Sequence, residues 1–173
     1  MSENPSRTYS VLNNAEMGFP EVVDENGESV RITHGRFVAL EESADRRVRK
    51  ETFEKLYNTY KQYENTLASI YSGHVKQLIF HAKARNYAST LEAAVDSNNV
   101  SPKVYQNLVA TVDQNLDKMH RYVSLRKRLL GVDELHMYDI YTPIISGAAR
   151  NIPFEEAKET VLKALAPLGE DYL

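Results

Sequence analysis

The sequence predicts a mainly α protein: two long antiparallel helices plus shorter helices, with a small β-hairpin near the N-terminus and one short extended segment. Three observations carry this. From Ser43 to Arg85 there is no proline and one glycine, Gly73. Along it Phe53, Tyr57, Tyr60, Leu67, Tyr71, Val75, Leu78 and Ala82 keep to one helix face. From Ser101 to Gly131 a second stripe runs through Tyr105, Leu108, Val112, Met119, Val123 and Leu130. Asn26-Gly27, set between two short apolar-rich runs, is a strong hairpin signal. The chain is read as a single helical unit over 1–173, with a hairpin segment (1–40), a long-helix core (41–131) and a closing part (132–173).

In chain order, the polar stretch Met1 to Ser10 is expected to fray, and Val11 to Met17 to form one helical turn. Phe19 to Val23 and Ser29 to Ile32 are the hairpin strands, and Thr33-His34-Gly35-Arg36 reads as a turn out of them. Ser43 is the expected N-cap of the first long helix, with Asp45 in its first turn. Glu64 alone interrupts that helix's apolar stripe. It either sits at the stripe's edge and reaches water, or is a buried carboxylate paired with an arginine or a tyrosine hydroxyl. Ser89 or Thr90 can cap a short helix over Leu91 to Val95. Ser101-Pro102 starts the second long helix, a capping hydroxyl before a proline at the first helical position. Asn115 to Asp117 can bend it, and Gly131 suits the position just past its end. Arg126, Lys127 and Arg128 lie in its last turn, where positive charge complements the helix dipole. Leu135 to Tyr141 is too tightly flanked by Gly131 and Pro143 for a useful helix and is read as extended. Pro153 opens a last helix with Glu155 and Glu156 in its first turn; Pro167 stops it.

Composition narrows the function. The 173 residues carry a net charge of -3, so no overall field draws the chain to nucleic acid or an anionic membrane. The absence of cysteine excludes disulfides, thiolate metal sites and a cysteine nucleophile, and fits a reducing, cytoplasmic setting. No apolar run approaches the roughly 20 residues of a membrane span, and the N-terminal residues lack the apolar core of a secretory signal.

Little in the chain matches a known chemical motif. The histidines are His34, His74, His81, His120 and His136, and none opens a His-Glu-x-x-His sequence. His74 and His81 lie two helical turns apart, about 10 Å, too far for one metal. The basic run Arg46 to Lys50 stands beside Glu41, Glu42, Asp45 and Glu51, so pairing within the helix is expected. A second run, His120 to Arg128, has acidic neighbours and no wider basic surface to hold RNA. The most site-like stretch is Leu135 to Tyr141. If extended, it puts Met137, Asp139 and Tyr141 on one face and His136, Tyr138 and Ile140 on the other. The alternative is an edge strand whose aromatics fill a groove between helices.

Seven stretches follow one another as they do in the oligoendopeptidase F family, relatives of the thimet oligopeptidases. They are Ser10 to Met17, Asp24 to Gly27, Thr33 to Phe37, Asp45 to Arg49, Ala82 to Tyr87, Asp133 to Tyr141 and Ala166 to Gly169. The resemblance covers nearly the whole chain. It implies a zinc metallopeptidase that cuts short peptides in a deep cleft of a largely helical protein. That family's zinc ligands and catalytic glutamate match nothing here, so the chain resembles an internal portion of such an enzyme, inactive alone, with no zinc expected on it. The long helices would then form a wall of the cleft. His136, Tyr138, Asp139 and Tyr141 become cleft-lining or interdomain candidates, and Asp139 with Tyr141 resembles an acidic-aromatic pair of the thimet relatives. Expected partners are short peptides and the catalytic region, with self-association through exposed apolar surface. The competing expectation is a stand-alone helical module that binds a peptide or a partner protein, suggested by a tyrosine-rich face between the two long helices.

Overall fold

A computed structural model describes residues 4–145 and 152–169. They fall into two compact units, Met1–Thr142 and Pro143–Leu173. The first begins with α1 (Asn4–Val11), where the polar sequence predicts fraying, and a π-helical turn, Leu12–Glu16, continues it. The strands β1 (Glu21–Val23) and β2 (Ser29–Arg31) pair antiparallel, with Val22 opposite Val30. The turn between them is built as its sequence suggests. Asp24 Oδ1 accepts from the N–H groups of Asn26 (2.8 Å) and Glu28 (2.9 Å), and Gly27 takes φ +85.

Thr33 to Arg36 is not a turn but the start of α2 (His34–Glu41), because the Thr33 hydroxyl accepts from the Arg36 N–H and caps it. The stretch expected as one helix from Ser43 is α3 (Arg46–Gln62) followed by α4 (Glu64–Ala84). Asp45, not Ser43, caps α3, accepting from the Arg47 N–H at 2.9 Å. Tyr63, at φ -104 and ψ 13, separates α3 from α4. Ser89 caps α5 (Thr90–Asp96) and Ser101 caps α6 (Pro102–Gln114), both as the sequence predicts. The expected bend falls at Asn115, before α7 (Leu116–Leu130), and Gly131 ends α7 at φ +65.

The hydrophobic core lies in the N-terminal half. Leu12, Met17, Phe19, Val22, Ile32, Leu40, Val48 and Leu56 form it, with Tyr60, Tyr63, Leu67 and Ile70 packed against its side. The face of α3 that turns inward is therefore Val48, Thr52, Leu56 and Thr59. The aromatic stripe picked out by the sequence lies beside it: Phe53 is half-buried, while Tyr57 and Tyr71 are exposed. Glu64, in the first turn of α4, is exposed and not a buried polar group. Tyr63 takes the inward position next to it, which turns Glu64 outward.

On the outer side of β1, Lys55 Nζ donates to the Glu21 carbonyl at 2.6 Å. Arg47 donates to the carbonyls of Val23 (3.0 Å) and Asp24 (3.2 Å). These bonds fasten the hairpin to α3. In the second unit, α8 (Phe154–Leu165) follows Pro153 and carries Glu155 and Glu156 in its first turn. Pro167 lies in the 3-10 turn that ends it. Among the described residues no helix is long and apolar enough to cross a membrane.

Candidate functional site

The first turn of α3 projects Arg46 and Arg49 to one side, since residues three apart share a helix face. Both meet Asp139. Arg49 Nη2 lies 2.9 Å from Oδ1, and Arg46 reaches Oδ1 with Nε (3.1 Å) and Oδ2 with Nη2 (2.9 Å). The His136 N–H also donates to Oδ2, at 3.0 Å. Intrahelical pairing, expected for this basic run, holds for Arg47 with Asp45 and Glu51 and for Lys50 with Glu54. Arg46 and Arg49 instead make long-range contacts that α-helical spacing cannot announce.

This carboxylate decides the local backbone. The Asp139 N–H donates to the His136 carbonyl at 2.9 Å and closes a 3-10 turn, Met137–Asp139, in the segment expected to be extended, and the carboxylate caps that turn by accepting from the His136 N–H. The face alternation of a strand is thereby lost. His136 and Tyr138, instead of pointing together off one strand face, stack with ring centroids 4.9 Å apart and planes 14° apart. Phe53 meets the Tyr138 ring edge-on at 6.1 Å, and the Arg46 guanidinium stands 5.3 Å from its centroid. From α7, Arg126 Nε donates to the Asp139 carbonyl (2.9 Å) and Nη2 to the Thr142 carbonyl. Arg49 Nη1 secures the loop after α2 through the carbonyls of Ser43 (2.7 Å) and Ala44 (3.0 Å).

Of the sequence-predicted residues, the structure brings His136, Tyr138 and Asp139 together. Tyr138 and Asp139 are buried, whereas His136 and Tyr141 keep much of their surface. Glu64 takes no part. Among the described residues, three charged ones are buried without a signal in the sequence: Glu41, Arg49 and Arg126. For Arg126, spacing shows only a cation that complements the end of α7.

The electrostatics fix what these groups can do. Burial pushes the Asp139 carboxyl up, but Arg46, then Arg49 and the His136 N–H outweigh it and hold it at about 2. Such a carboxylate is an anion at neutral pH with both oxygens engaged, and it is suited to anchoring rather than to proton transfer. Glu41 differs. Burial, reinforced by the charge of Asp139 and opposed by Arg49, raises it to about 8.

Comparisons with known proteins bear on the same stretch. Peptidase family M3 is matched over residues 39–166, which spans Arg46, Arg49, Arg126 and Asp139. The chain belongs to peptidase family M3. It is 48% identical over 167 residues to oligopeptidase PepF of Bacillus subtilis and 41% identical over 165 residues to group B oligopeptidase PepB of Streptococcus agalactiae. These matches cover 96% and 95% of this chain but only 25% and 27% of those relatives. The crystal structure of oligoendopeptidase-F from Enterococcus faecium superimposes with a TM-score of 0.82 at 46% identity. It covers 99% of this chain and 32% of that one. The chain thus spans about a quarter of the length of the curated M3 relatives it matches.

The described residues offer no fit to the zinc that the resemblance implies. Among the described residues no three His, Cys, Asp or Glu side chains are grouped to hold a metal ion. Asp139 is already paired with two arginine cations, which would repel a metal ion.

Proposed function

We propose that this chain forms a wall of the peptide cleft in a zinc-dependent oligoendopeptidase of family M3 and is inactive alone. The observation that carries the proposal is the match in order over nearly all of this chain to about a quarter of PepF and PepB. The zinc ligands and the catalytic glutamate belong to other parts of the parent protein, which acts on short peptides in the cytoplasm. Within the wall, Arg46, Arg49 and Arg126 set the 3-10 turn around Asp139. The turn presents the His136 ring and Tyr141 at the surface, where a peptide or the catalytic region can meet them. Exposed Val104, Leu108, Val112 and Met119 on α6 and α7 supply apolar surface for the rest of the enzyme, or for self-association in its absence.

The test compares two preparations on a quenched octapeptide. The parent protein, purified from source cells, is expected to cleave it, to stop with a zinc chelator and to recover with added zinc. This chain alone is expected to leave it intact. Chelator-sensitive cleavage by this chain alone, or a parent protein inert towards peptides, overturns the proposal. A native product of only 19.7 kDa that binds peptides without cutting them would make the stand-alone module the better reading.

A further inference from the structure

The buried group that the anchor does not use is Glu41. It is the last residue of α2, is 0% exposed, and neither of its carboxyl oxygens has a hydrogen-bond partner. Beside it Arg49, 4% exposed, spends Nη1 on the Ser43 and Ala44 carbonyls and Nη2 on Asp139, while its Nε has no partner. Thr52, one turn further along the same face of α3, has a buried hydroxyl in the same condition. Two carboxylates therefore act on one buried guanidinium, which is already shared between α3, the loop after α2 and the 3-10 turn.

We propose that Glu41 is a protonation-controlled latch beneath Arg49. While it is neutral, Arg49 belongs to Asp139 and residues 136–142 stay fastened to α3; once it ionises, it draws Arg49 away and slackens that fastening. The energetics favour a neutral Glu41 at low and neutral pH, because a buried carboxylate without donors is costly to ionise. Ionisation therefore comes at about 8 rather than in the ordinary carboxylate range. The charged groups acting on Glu41 are Arg49 from α3 and Asp139 from the turn. Arg46 bonds both oxygens of Asp139, and Arg126 contacts the turn through backbone carbonyls. Arg46, with a side chain 41% exposed, keeps hold of Asp139 when Arg49 is drawn away, so the turn loosens without detaching.

Amide hydrogen exchange on the full chain tests this. The N–H groups of Asp139 and Ile140, which donate within the turn to His136 (2.9 Å) and Met137 (3.3 Å), report its closure. Their protection factors are expected to fall about tenfold between about pH 6 and about pH 9.5, while amides of the hairpin hold constant. In Glu41→Gln the fall is expected to vanish. An equal fall in the variant, an equal fall in the hairpin, or no fall in the natural chain overturns the latch. Should Glu41→Gln not fold, the natural chain decides through its Glu41 carboxyl resonance. Titration well above the other glutamates supports the latch, and titration among them overturns it.

Discussion

Arg49 and Asp139 lie 90 residues apart in sequence and meet at 2.9 Å, with side chains 4% and 0% exposed. Burial of both partners sets this pair apart from the surface ion pairs along α3. Two ions removed from water are stabilising only as a matched set, and removing one strands the other. Asp139→Asn should therefore destabilise the chain by about 3–5 kcal/mol, as should Arg49→Ala. Urea unfolding midpoints measure this; a loss within experimental error for either variant would remove the anchor role.

Arg46 bonds the same carboxylate from a half-exposed position. Solvent screens such a pair, so Arg46→Ala should cost about 1 kcal/mol or less. The ratio between the two arginines matters more than either value. Equal losses at Arg46 and Arg49 would mean that burial does not set the strength of this contact.

Asp139 and Glu41 respond to pH with opposite sign. Asp139 is held below its ordinary value, so its contribution is complete above pH 3.8 and is lost as pH falls towards about 2. The loss should be about 2 kcal/mol across that window, and smaller in Asp139→Asn. Glu41 is raised, so unfolding releases its proton between pH 4.5 and about 8, and stability declines as pH rises through that window. The decline should be on the order of 4–5 kcal/mol at most, and Glu41→Gln should flatten it. Denaturation series at stepped pH check both slopes; a slope of the wrong sign in either window would reject the corresponding assignment.

Gly131 ends α7 at φ +65, and a Cβ there would meet nothing within 4 Å. Any loss in Gly131→Ala is then purely one of backbone conformation, about 1–2 kcal/mol. Gly18 has equal space without the positive φ, so Gly18→Ala should be neutral or slightly stabilising. Thermal melts of the two variants side by side test the comparison, and equal shifts would contradict it.

Local features were legible in the sequence because their causes are local. Asn26-Gly27, Ser89, Ser101-Pro102 and Gly131 each act within a few residues, and each stands where the sequence puts it. The break at Tyr63 has no such mark, and the aromatic stripe on α3 hid a buried face that includes Thr52 and Thr59. Threonine is neutral to a periodicity count, yet it fits close to neighbouring elements. The site was half legible. Leu135 to Tyr141 stands out by its composition, but its 3-10 turn is held by arginines from α3 and α7. Contacts of that range leave no spacing to read.

The bonds from Arg47 and Lys55 to the hairpin have a consequence for strangers as well as for the fold. The Pro20 carbonyl faces β2, accepting from the Ile32 N–H, so by alternation those of Glu21 and Val23 face away from it. Those are two of the carbonyls that the cations occupy. An open strand edge is a template on which any extended polypeptide can add itself. A passing peptide, or a second copy of this hairpin, finds the acceptors along β1 already taken. The ribbon is thereby kept at two strands on that side, and an extended peptide must find its place elsewhere on the protein.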